Sequence, residues 1–481
     1  MGIVAGLDSS AAHTSIVVCD AESGAVVRQG YAEHPEKRDD PQSWLISLGK
    51  AASSGQLADV TAIGVAAQQQ GLLALDSGGT PVGPALLGND KRAQPAAADL
   101  VDALGGRQAW AQRVGAVPTA AHPVAKLRWL ARHEPEAAAQ AAEIMQPHDW
   151  LVWQLLGRPE RRVTDRGDAS GTGYWSASSG SYQEDLVELA LGHRVRLPEV
   201  VGPAEPAGQT PEGLLISAGT GETMAAALGL GVRAGDAVVS LGASGSVCAV
   251  HHEALADPSG SIDSYADATG MHLPFVRTLN ATRVLRGTAE LLETDLEGLS
   301  ELALRSTPGA YGMVLLPYLE GETTPRLPHT AGSLHGMRRE SMKPEHLARA
   351  AVEGMLCGLA DALDVLRGRG VAIGSGEQGA EGRPEGGRIF LLGAAASLPA
   401  VQAAAPLLFG GRVVVPQPAE YAALGAARQA AWAQLGGAEP PRWPDAACQV
   451  FEPGEESAVG QAVRQQFQTV REQTHPGAFD G

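Results

Sequence analysis

Two short stretches with the same make-up open the two halves of this chain, and they constrain its fold more than any other feature. Residues 3–20 and residues 236–250 each contain an apolar segment, a turn rich in Ser, Ala or Gly, and a second apolar segment. This pattern predicts a β-hairpin, and its recurrence indicates an internal duplication. Because the N–H and hydroxyl groups of such turns donate to phosphate oxygens, a pair of them could hold a nucleotide triphosphate.

A third stretch, residues 216–231, combines an apolar run with Gly219 and Gly221 and then a carboxylate, Glu222. The glycines allow a tight turn and a close approach of the backbone to a ligand. Glu222 would lie where a strand gives way to a helix of small residues, and a helix N-terminus favours a charged carboxylate. A base held beside a ligand fits this placement. On the local pattern alone, a Glu that only complements the helix dipole explains it better.

The composition limits the classes of function. The chain has 481 residues, 44% of them hydrophobic and 19% charged, as expected for a soluble globular protein of about two to four domains. A net charge of -18 argues against a nucleic-acid partner, since no excess of Lys or Arg would neutralise phosphates. We find no signal segment and no apolar run long enough for a membrane. Four scattered cysteines without metal-ligand spacing indicate reduced thiols and a cytoplasmic location.

Several further segments occur in an order and at a spacing typical of one protein family. They are residues 64–71 (GVAAQQQG), 84–92 (PALLGNDKR), 163–172 (VTDRGDASGT), 316–325 (LPYLEGETTP), 347–354 (LARAAVEG) and 420–427 (EYAALGAA). With these segments and the stretches above, the chain resembles the FGGY carbohydrate kinases nearly from end to end. Within that family it is most similar to the xylulokinases. Each motif is weak alone, and their shared order makes the resemblance specific.

The resemblance implies an α/β fold of two ribonuclease H-like lobes, of the actin-like ATPase type, with a catalytic cleft between them. The lobes would span residues 1–235 and 236–470, followed by a tail over 471–481. Alternating strand and helix signals by themselves support only the broader α/β class. The resemblance also implies a loop near the cleft at Thr164, Asp165 and residues 168–172, where capping and turn formation explain these residues at least as well as ligand contact. At 374–387, which is rich in Gly and Glu, we expect a surface loop or an insertion without fixed structure.

The same resemblance implies the reaction and its participants. The γ-phosphoryl group of ATP would pass to a ketose hydroxyl, D-xylulose in a xylulokinase, with Mg²⁺ as cofactor. The partners would then be a small-molecule sugar and ATP, with no nucleic acid and no membrane. A homodimer is one option for the assembly, which the sequence leaves open.

The resemblance also assigns candidate site residues. Glu222 and Asp8 would be catalytic, and Asp8 would act on Mg²⁺ through water; without the resemblance, Asp8 could also be a turn former. The sugar would contact Gln69, Gln70, Asn89 and Asp90. ATP would be bound by Ser9, Ser10, Gly242, Ala243, Ser244, Gly393 and Ala394.

Several residues in these loops depart from the family pattern: Thr14, Gln70, Gly88, Glu222, Ala243, Ala394 and Ala395. In the same order, the family pattern has a basic residue near the place of Thr14, a His, a Trp, an Asp and a Thr at the next four places, and glycines at the last two. The longer side chain of Glu222 would move its carboxylate by about one carbon–carbon bond, and a misplacement of about 1 Å can cost on the order of 10²-fold in rate.

Two hypotheses follow from these departures. The first is an active sugar kinase with an altered substrate or a weakened rate. The second is a catalytically impaired homologue with a sugar-binding or regulatory role. Affinity for MgATP distinguishes them, because a kinase must bind the nucleotide and a sugar-binding relic need not.

Overall fold

The computed structural model describes residues 2–53, 55–374, 387–454 and 457–479. The strands, in chain order, are β1 (Ile3–Ser9), β2 (His13–Asp20), β3 (Val26–Glu33), β4 (Val60–Ala67), β5 (Leu73–Leu75), β6 (Glu143–Met145), β7 (Val163–Asp165), β8 (Trp175–Ser176), β9 (Ser181–Tyr182), β10 (Glu199–Val201), β11 (Pro206–Gln209), β12 (Leu215–Ser217), β13 (Thr220–Gly221), β14 (Ala237–Leu241), β15 (Gly245–Ala249), β16 (Ile262–Ala266), β17 (His272–Thr278), β18 (Val314–Leu316), β19 (Ser333–His335), β20 (Ile389–Leu392), β21 (Val413–Pro416) and β22 (Cys448–Phe451).

The α-helices, in chain order, are α1 (Pro41–Ala51), α2 (Gln94–Ala103), α3 (Arg107–Val114), α4 (Pro123–His133), α5 (Pro135–Gln140), α6 (Pro147–Leu155), α7 (Arg166–Ser170), α8 (Glu184–Leu191), α9 (Glu222–Leu230), α10 (Thr282–Leu291), α11 (Leu296–Leu304), α12 (Pro344–Gly368), α13 (Pro399–Phe409), α14 (Tyr421–Leu435) and α15 (Ser457–Thr474). Short 3₁₀ turns span Ala310–Gly312 and Ala394–Ser397. Among the described residues, no helix combines the length and hydrophobicity that crossing a membrane requires.

The chain divides into two compact units. The first contains Met1–Gly231, Glu253–Leu273 and Pro418–Asp445, and the second contains Val232–His252, Pro274–Gln417 and Ala446–Gly481. The predicted lobes 1–235 and 236–470, and the tail after 470, stay a prediction. Residues 375–386, most of the predicted insertion, lie outside the described residues.

The two units repeat one sheet topology. In the first unit the strand order is β11-β12-β4-β1-β2-β3, and in the second the order β22-β21-β20-β14-β15-β17 matches it strand for strand. In each, an antiparallel three-stranded meander is followed by two parallel neighbours and an antiparallel edge strand. This repeat agrees with the predicted duplication, and the predicted α/β class is confirmed.

One face of the sheet in the first unit packs so closely against α14 that the backbones of the strands and the helix are in direct contact. A Cβ atom on Gly6 would lie 1.7 Å from the carbonyl oxygen of Ala423, and one on Gly64 would lie 2.0 Å from that of Ala426. Helix α14 meets α9 in the same way, since a Cβ on Gly425 would lie 1.8 Å from the Ala225 oxygen. Only glycine permits these approaches, which place the ends of β1, α9 and α14 around Asp8.

The opposite face of this sheet carries a hydrophobic core. Side chains of β1 and β2, among them Leu7 and Ile16, pack with α1 and α6. The two helices contribute Trp44 and Trp150, whose rings meet edge to face with centroids 5.9 Å apart. Because successive residues of a strand point to opposite faces, β1 places Leu7 in this core and directs Asp8 to the α14 side.

The expected loop through Thr164, Asp165 and residues 168–172 is wrong, because β7 and α7 occupy most of it, whereas the alternative role of capping holds for Asp165. Asp165 ends the strand and caps the helix, since its carboxylate accepts hydrogen bonds from the N–H groups of Gly167 at 2.7 Å and Asp168 at 2.9 Å. A short strand followed at once by a capped five-residue helix leaves little periodicity in the sequence, and the Asp and Gly residues suggested a turn instead.

Candidate active site

Glu222 lies where the sequence predicts it, at the point where a strand gives way to a helix. The chain runs from β12 through Gly219 to β13, and Glu222 is the first residue of α9. Gly219 has a φ of 75°, and a Cβ there would lie 2.7 Å from the carbonyl oxygen of Val65 and from the ring of His148. This tight turn therefore requires glycine and fixes the direction in which α9 begins.

The carboxyl group of Glu222 is held in a low-dielectric environment. Burial raises its pKa to about 7, and a hydrogen bond from the backbone N–H of Gln69 offsets only part of this effect. Desolvation thus outweighs the helix N-terminus, which on its own would favour the charged form. A carboxyl group with a pKa near neutral pH is suited to accept a proton in general base catalysis.

Asp8, the last residue but one of β1, is a buried carboxylate in negative surroundings. It is 6% exposed, and its Oδ1 atom has no hydrogen-bond partner within the described part of the chain. Burial raises its pKa well above the usual range, and the negative charges of Glu222 and Glu420 raise it further. Glu420, just before α14, was not predicted as a site residue. An excess of carboxylates of this kind fits a divalent cation, which prefers oxygen ligands.

In the first predicted phosphate hairpin, which joins β1 to β2, the hydroxyls of Ser9 and Ser10 already have partners within the protein. Ser9 pairs across the hairpin with Thr14, and their hydroxyls lie on the core face, 3.4 and 3.0 Å from the Nε2 atom of His34. On the other face the cross-strand partner of Asp8 is Ser15. Ser10 lies in the turn, where its hydroxyl donates to the carbonyl oxygen of His13 at 3.2 Å.

The predicted sugar loops meet beside Glu222. A Cβ on Gly221, directly before Glu222, would lie 2.5 Å from the Cγ atom of Gln69, and the Nε2 atom of Gln69 lies 3.1 Å from the sulfur of Met224. A Cβ on Gly88 would lie 2.7 Å from the carbonyl oxygen of Gln69. Glycine in place of the family's Trp therefore lets the loop over 88–90 pack directly on the loop over 69–70.

The other three predicted sugar residues differ in their surroundings. Gln70 is buried, whereas Asn89 is exposed. Asp90 is partly buried and forms an ion pair with Arg92, with Nη2 and Oδ2 2.6 Å apart. Burial opposes ionisation of Asp90, but the hydrogen bonds from Arg92 outweigh it and lower the pKa of Asp90; the positive charge of Lys126 acts in the same direction.

A buried ion cluster supports the turn before Glu222. The Nδ1 atom of His148 lies 2.6 Å from Oδ2 of Asp168, and its Nε2 lies 3.3 Å from the carbonyl oxygen of Ala218. Burial lowers the pKa of His148, but neighbouring carboxylates, Asp149 first, outweigh it and raise the pKa to about 10. His148, Asp149 and Asp168 offer ligand atoms within 4.8 Å of one another, but the raised pKa of His148 disfavours the neutral imidazole that a metal ion would need. Thr220 completes the support by donating to Asp165 at 2.7 Å.

In the second unit, the predicted ATP loops adjoin each other. Gly242, Ala243 and Ser244 form the exposed turn between β14 and β15. Gly393 has a φ of 98°, and a Cβ there would lie 2.4 Å from the carbonyl oxygen of Leu241, directly before the turn. Ala394 begins the 3₁₀ turn that follows.

The alanines at 394 and 395 therefore cause no backbone strain. The left-handed conformation is required at Gly393, whereas both alanines lie in the 3₁₀ turn, which any residue with a Cβ can adopt. A positive φ, which alanine disfavours, is therefore not required at either alanine. Sequence reasoning also missed Arg283, whose Nε donates to the carbonyl oxygen of Ala243 at 3.1 Å and places a basic group at the turn.

The structure thus gathers Asp8, Glu222, Gln69, Gln70 and Asp90 in the first unit, and it gathers residues 242–244 and 393–394 in the second. Their roles in binding and catalysis stay predictions. Three residues near the predicted sites carried no signal of a site role in the sequence. Glu420 and Arg283 lie far along the chain from their neighbours, and Lys126 reads as an ordinary residue of α4.

Comparison with known proteins identifies the family. The sequence profile of the FGGY family of carbohydrate kinases, N-terminal domain, matches residues 3–231, and that of the C-terminal domain matches residues 214–434. A xylulose kinase of Streptomyces coelicolor is 40% identical over 444 residues, which cover 89% of this chain and 87% of that protein. A xylulose kinase of Streptomyces rubiginosus is 40% identical over 473 residues, covering 94% and 92%.

Solved structures agree with this result. The crystal structure of xylulose kinase from Bifidobacterium adolescentis superposes with a TM-score of 0.89 at 35% identity, covering 98% of this chain and 99% of that chain. A Plasmodium falciparum glycerol kinase with ADP has a TM-score of 0.82 at 17% identity, over 99% and 98% of the two chains, and so shares the fold. The chain is therefore a sugar kinase that takes a phosphoryl group from ATP and places it on an alcohol group, and it belongs to the FGGY family of carbohydrate kinases.

Proposed function

We propose that this chain is a xylulokinase, which converts D-xylulose and ATP into D-xylulose 5-phosphate and ADP with Mg²⁺ as cofactor. The relatives that match most of its length carry the name xylulose kinase, and this favours an active kinase over the impaired homologue. Phosphoryl transfer requires a positioned hydroxyl, a group to accept its proton, and donors for the phosphates. This chain has candidate residues for each of these three requirements.

One observation carries the proposal: Gln69, in the predicted sugar loop, lies against the residue before Glu222, because a Cβ on Gly221 would be 2.5 Å from the Cγ atom of Gln69. A sugar bound by Gln69, Gln70, Asn89 and Asp90 would therefore lie next to the carboxylate. In the proposed mechanism, Glu222 accepts the proton of the hydroxyl that attacks the γ-phosphorus. The backbone of Gln69 favours the charged form of this carboxyl group, which the proton transfer requires.

Asp8 is the proposed partner of Mg²⁺. Its buried Oδ1 atom lacks a hydrogen-bond partner among the described residues, and Glu222 and Glu420 add negative charge around it. This donor set fits a hard cation that binds few protein carboxylates and keeps several waters. When bound, Mg²⁺ would neutralise charge on the phosphates. Asp8 itself holds the negative charge at the end of β1 that attracts the cation.

ATP would be bound by the two hairpin turns and the loop at Gly393. In the second unit, the N–H groups of residues 242–244 and the hydroxyl of Ser244 are exposed and can donate to phosphate oxygens. Gly393 and Ala394 would lie along the adenosine. Ser10 would donate from the first hairpin. Ser9, whose hydroxyl lies near His34, would contribute through its backbone.

A cytoplasmic location is part of this proposal. The four cysteines are free thiols, three of them buried, which fits a reducing compartment. The partners would be limited to the sugar and ATP, and a homodimer remains an option.

The test is an ADP-release assay with D-xylulose and other ketoses and polyols, together with calorimetric titration of MgATP. We expect turnover with D-xylulose and a loss of about 10²-fold or more in kcat in Glu222→Gln. The matched control is Glu184→Gln, because Glu184 is also the first residue of a helix in this unit but is exposed. A folded protein that does not bind millimolar MgATP would refute the proposal.

A further inference from the structure

We propose that Arg283 is a further ATP-binding residue, which places a positive charge against the phosphate groups at the turn between β14 and β15. This inference rests on the proposed function, in which residues 242–244 of that turn bind ATP. It deepens that function by naming a basic side chain for the phosphates, which the predicted ATP-binding residues do not include.

The need for a local positive charge follows from the sequence. The predicted ATP-binding residues are Ser, Gly and Ala, none of which carries a charge, and the protein has a net charge of -18. Thr14 stands near the place where the family pattern has a basic residue, and Ala243 has no side-chain donor. A negatively charged nucleotide binds such a protein more tightly where a local cation offsets the repulsion.

The start of α10 fixes Arg283 beside the turn. Thr282, the first residue of this helix, donates from its N–H to the carbonyl oxygen of Gly242 at 3.0 Å and from its hydroxyl to that of Leu241 at 2.8 Å. Arg283 is the next residue, and its Nε atom donates to the carbonyl oxygen of Ala243 at 3.1 Å. The guanidinium group therefore lies against the turn itself.

The guanidinium group keeps the capacity to bind a ligand. It carries donors on Nε, Nη1 and Nη2. In the described part of the chain, the hydrogen bonds of this side chain come from Nε, to Ala243, and from Nη1, to Glu320. The side chain of Arg283 is 28% exposed and that of Glu320 is 66% exposed. Because an ion pair this exposed contributes little free energy, it leaves the positive charge available to a phosphate group.

The chemistry of the two groups favours their pairing. Gly242, Ala243 and Ser244 are exposed, so a phosphate group that binds the N–H groups of the turn lies next to the guanidinium group. The planar guanidinium group matches phosphate oxygens, and such charge-assisted hydrogen bonds are stronger than neutral ones. The loss of one changes an affinity by about 10- to 100-fold. Adenosine has no phosphate, so its affinity does not depend on this contact.

The experiment is calorimetric titration of the full chain with MgATP at low and at high NaCl, together with ligand-observed NMR of adenosine binding. At low salt we expect Arg283→Gln to weaken MgATP binding about 10- to 100-fold and to leave adenosine affinity unchanged. The salt dependence of MgATP affinity should also become smaller, because a charge that salt screens has been removed. The control is Arg286→Gln, which removes the same charge from an exposed side chain of α10 and should leave both affinities unchanged.

A purely structural role for Arg283 predicts equal losses for MgATP and adenosine, and that result would overturn the inference. No loss of MgATP affinity, or an unchanged salt dependence, would overturn it as well. If Arg283→Gln does not fold, Arg283→Lys decides, since it keeps the charge and loses the planar fork. This variant should bind MgATP about 3- to 10-fold more weakly with adenosine affinity unchanged, and an unchanged MgATP affinity would overturn the inference.

Because the readout is binding, it is independent of turnover. A protein that binds MgATP but releases no ADP with D-xylulose refutes the proposed function and still decides on Arg283, whereas a folded protein that does not bind MgATP overturns the inference.

Discussion

Replacing the candidate base should make the protein more stable while it lowers kcat by about 10²-fold or more. Burial raises the pKa of Glu222 from 4.5 to about 7. The folded state therefore binds a proton that the unfolded state has already lost. Between pH 4.5 and about pH 7, the free energy of unfolding of the wild type therefore falls as the pH rises, and above about pH 7 this group lowers it no further. Gln has a similar shape and no charge, so Glu222→Gln escapes this loss.

The magnitude follows from the two pKa values. The difference between 4.5 and about 7, at about 1.36 kcal/mol for each pKa unit, corresponds to about 3 kcal/mol at pH 8. At pH 5 the same difference leaves less than about 1 kcal/mol, because the unfolded carboxyl is then only partly ionised. The neutral side chain also removes a negative charge from the surroundings of Asp8, which acts in the same direction.

The assay is urea unfolding followed by tryptophan fluorescence at pH 5 and pH 8. All 8 tryptophans lie in the first unit, so the signal reports the unit that contains Glu222. We expect Glu222→Gln to be more stable than the wild type by about 3 kcal/mol at pH 8 and by less than about 1 kcal/mol at pH 5. Glu184→Gln should show no such gain. A Glu222→Gln protein no more stable than the wild type at pH 8 would refute the argument that the carboxylate is desolvated.

Three further predictions follow from the same site. In the wild type, kcat should rise with pH through an apparent pKa near 7 and then level off, because the base must be deprotonated; a profile that is flat from pH 5 to 9 would contradict this role. Thr220→Val removes the hydrogen bond to Asp165 and should lower the free energy of unfolding in urea by about 1.5–3 kcal/mol. Because the turn before Glu222 loosens, kcat should fall by a larger factor than KM rises. An unchanged kcat would show that the turn does not depend on this bond. Removal of divalent cations with EDTA should abolish ADP release, and Mg²⁺ should restore it; activity that persists in EDTA would refute the role proposed for Asp8.

Much of the fold could be predicted because its signals are local. Hairpins, the Gly219–Gly221 turn and the start of α9 at Glu222 each depend on residues close together in the chain. The duplication was readable because the two hairpins have similar turns. The segment at 163–172 was misread, since a capped helix of five residues and a turn use the same Asp and Gly residues.

The surroundings of the site could not be predicted in the same way. Tyr265 and Gln70 are 195 positions apart, and their hydrogen bond depends on how β16 packs in the first unit. Glu420 acts on Asp8 through the packing of α14, which the glycine at position 6 permits. The raised pKa of Glu222 could not be predicted from its place at a helix N-terminus, because desolvation is a property of packing and is invisible in the sequence.

The most direct test of the central claim is ³¹P NMR of the protein with MgATP and D-xylulose. We predict that the γ-phosphate resonance of ATP declines while a phosphate monoester resonance grows by the same amount, and that both changes are about 10²-fold or more slower with Glu222→Gln. Growth of inorganic phosphate alone would show ATP hydrolysis without transfer. Unchanged ATP signals with a folded, sugar-saturated protein would contradict the assignment of this chain as a xylulokinase.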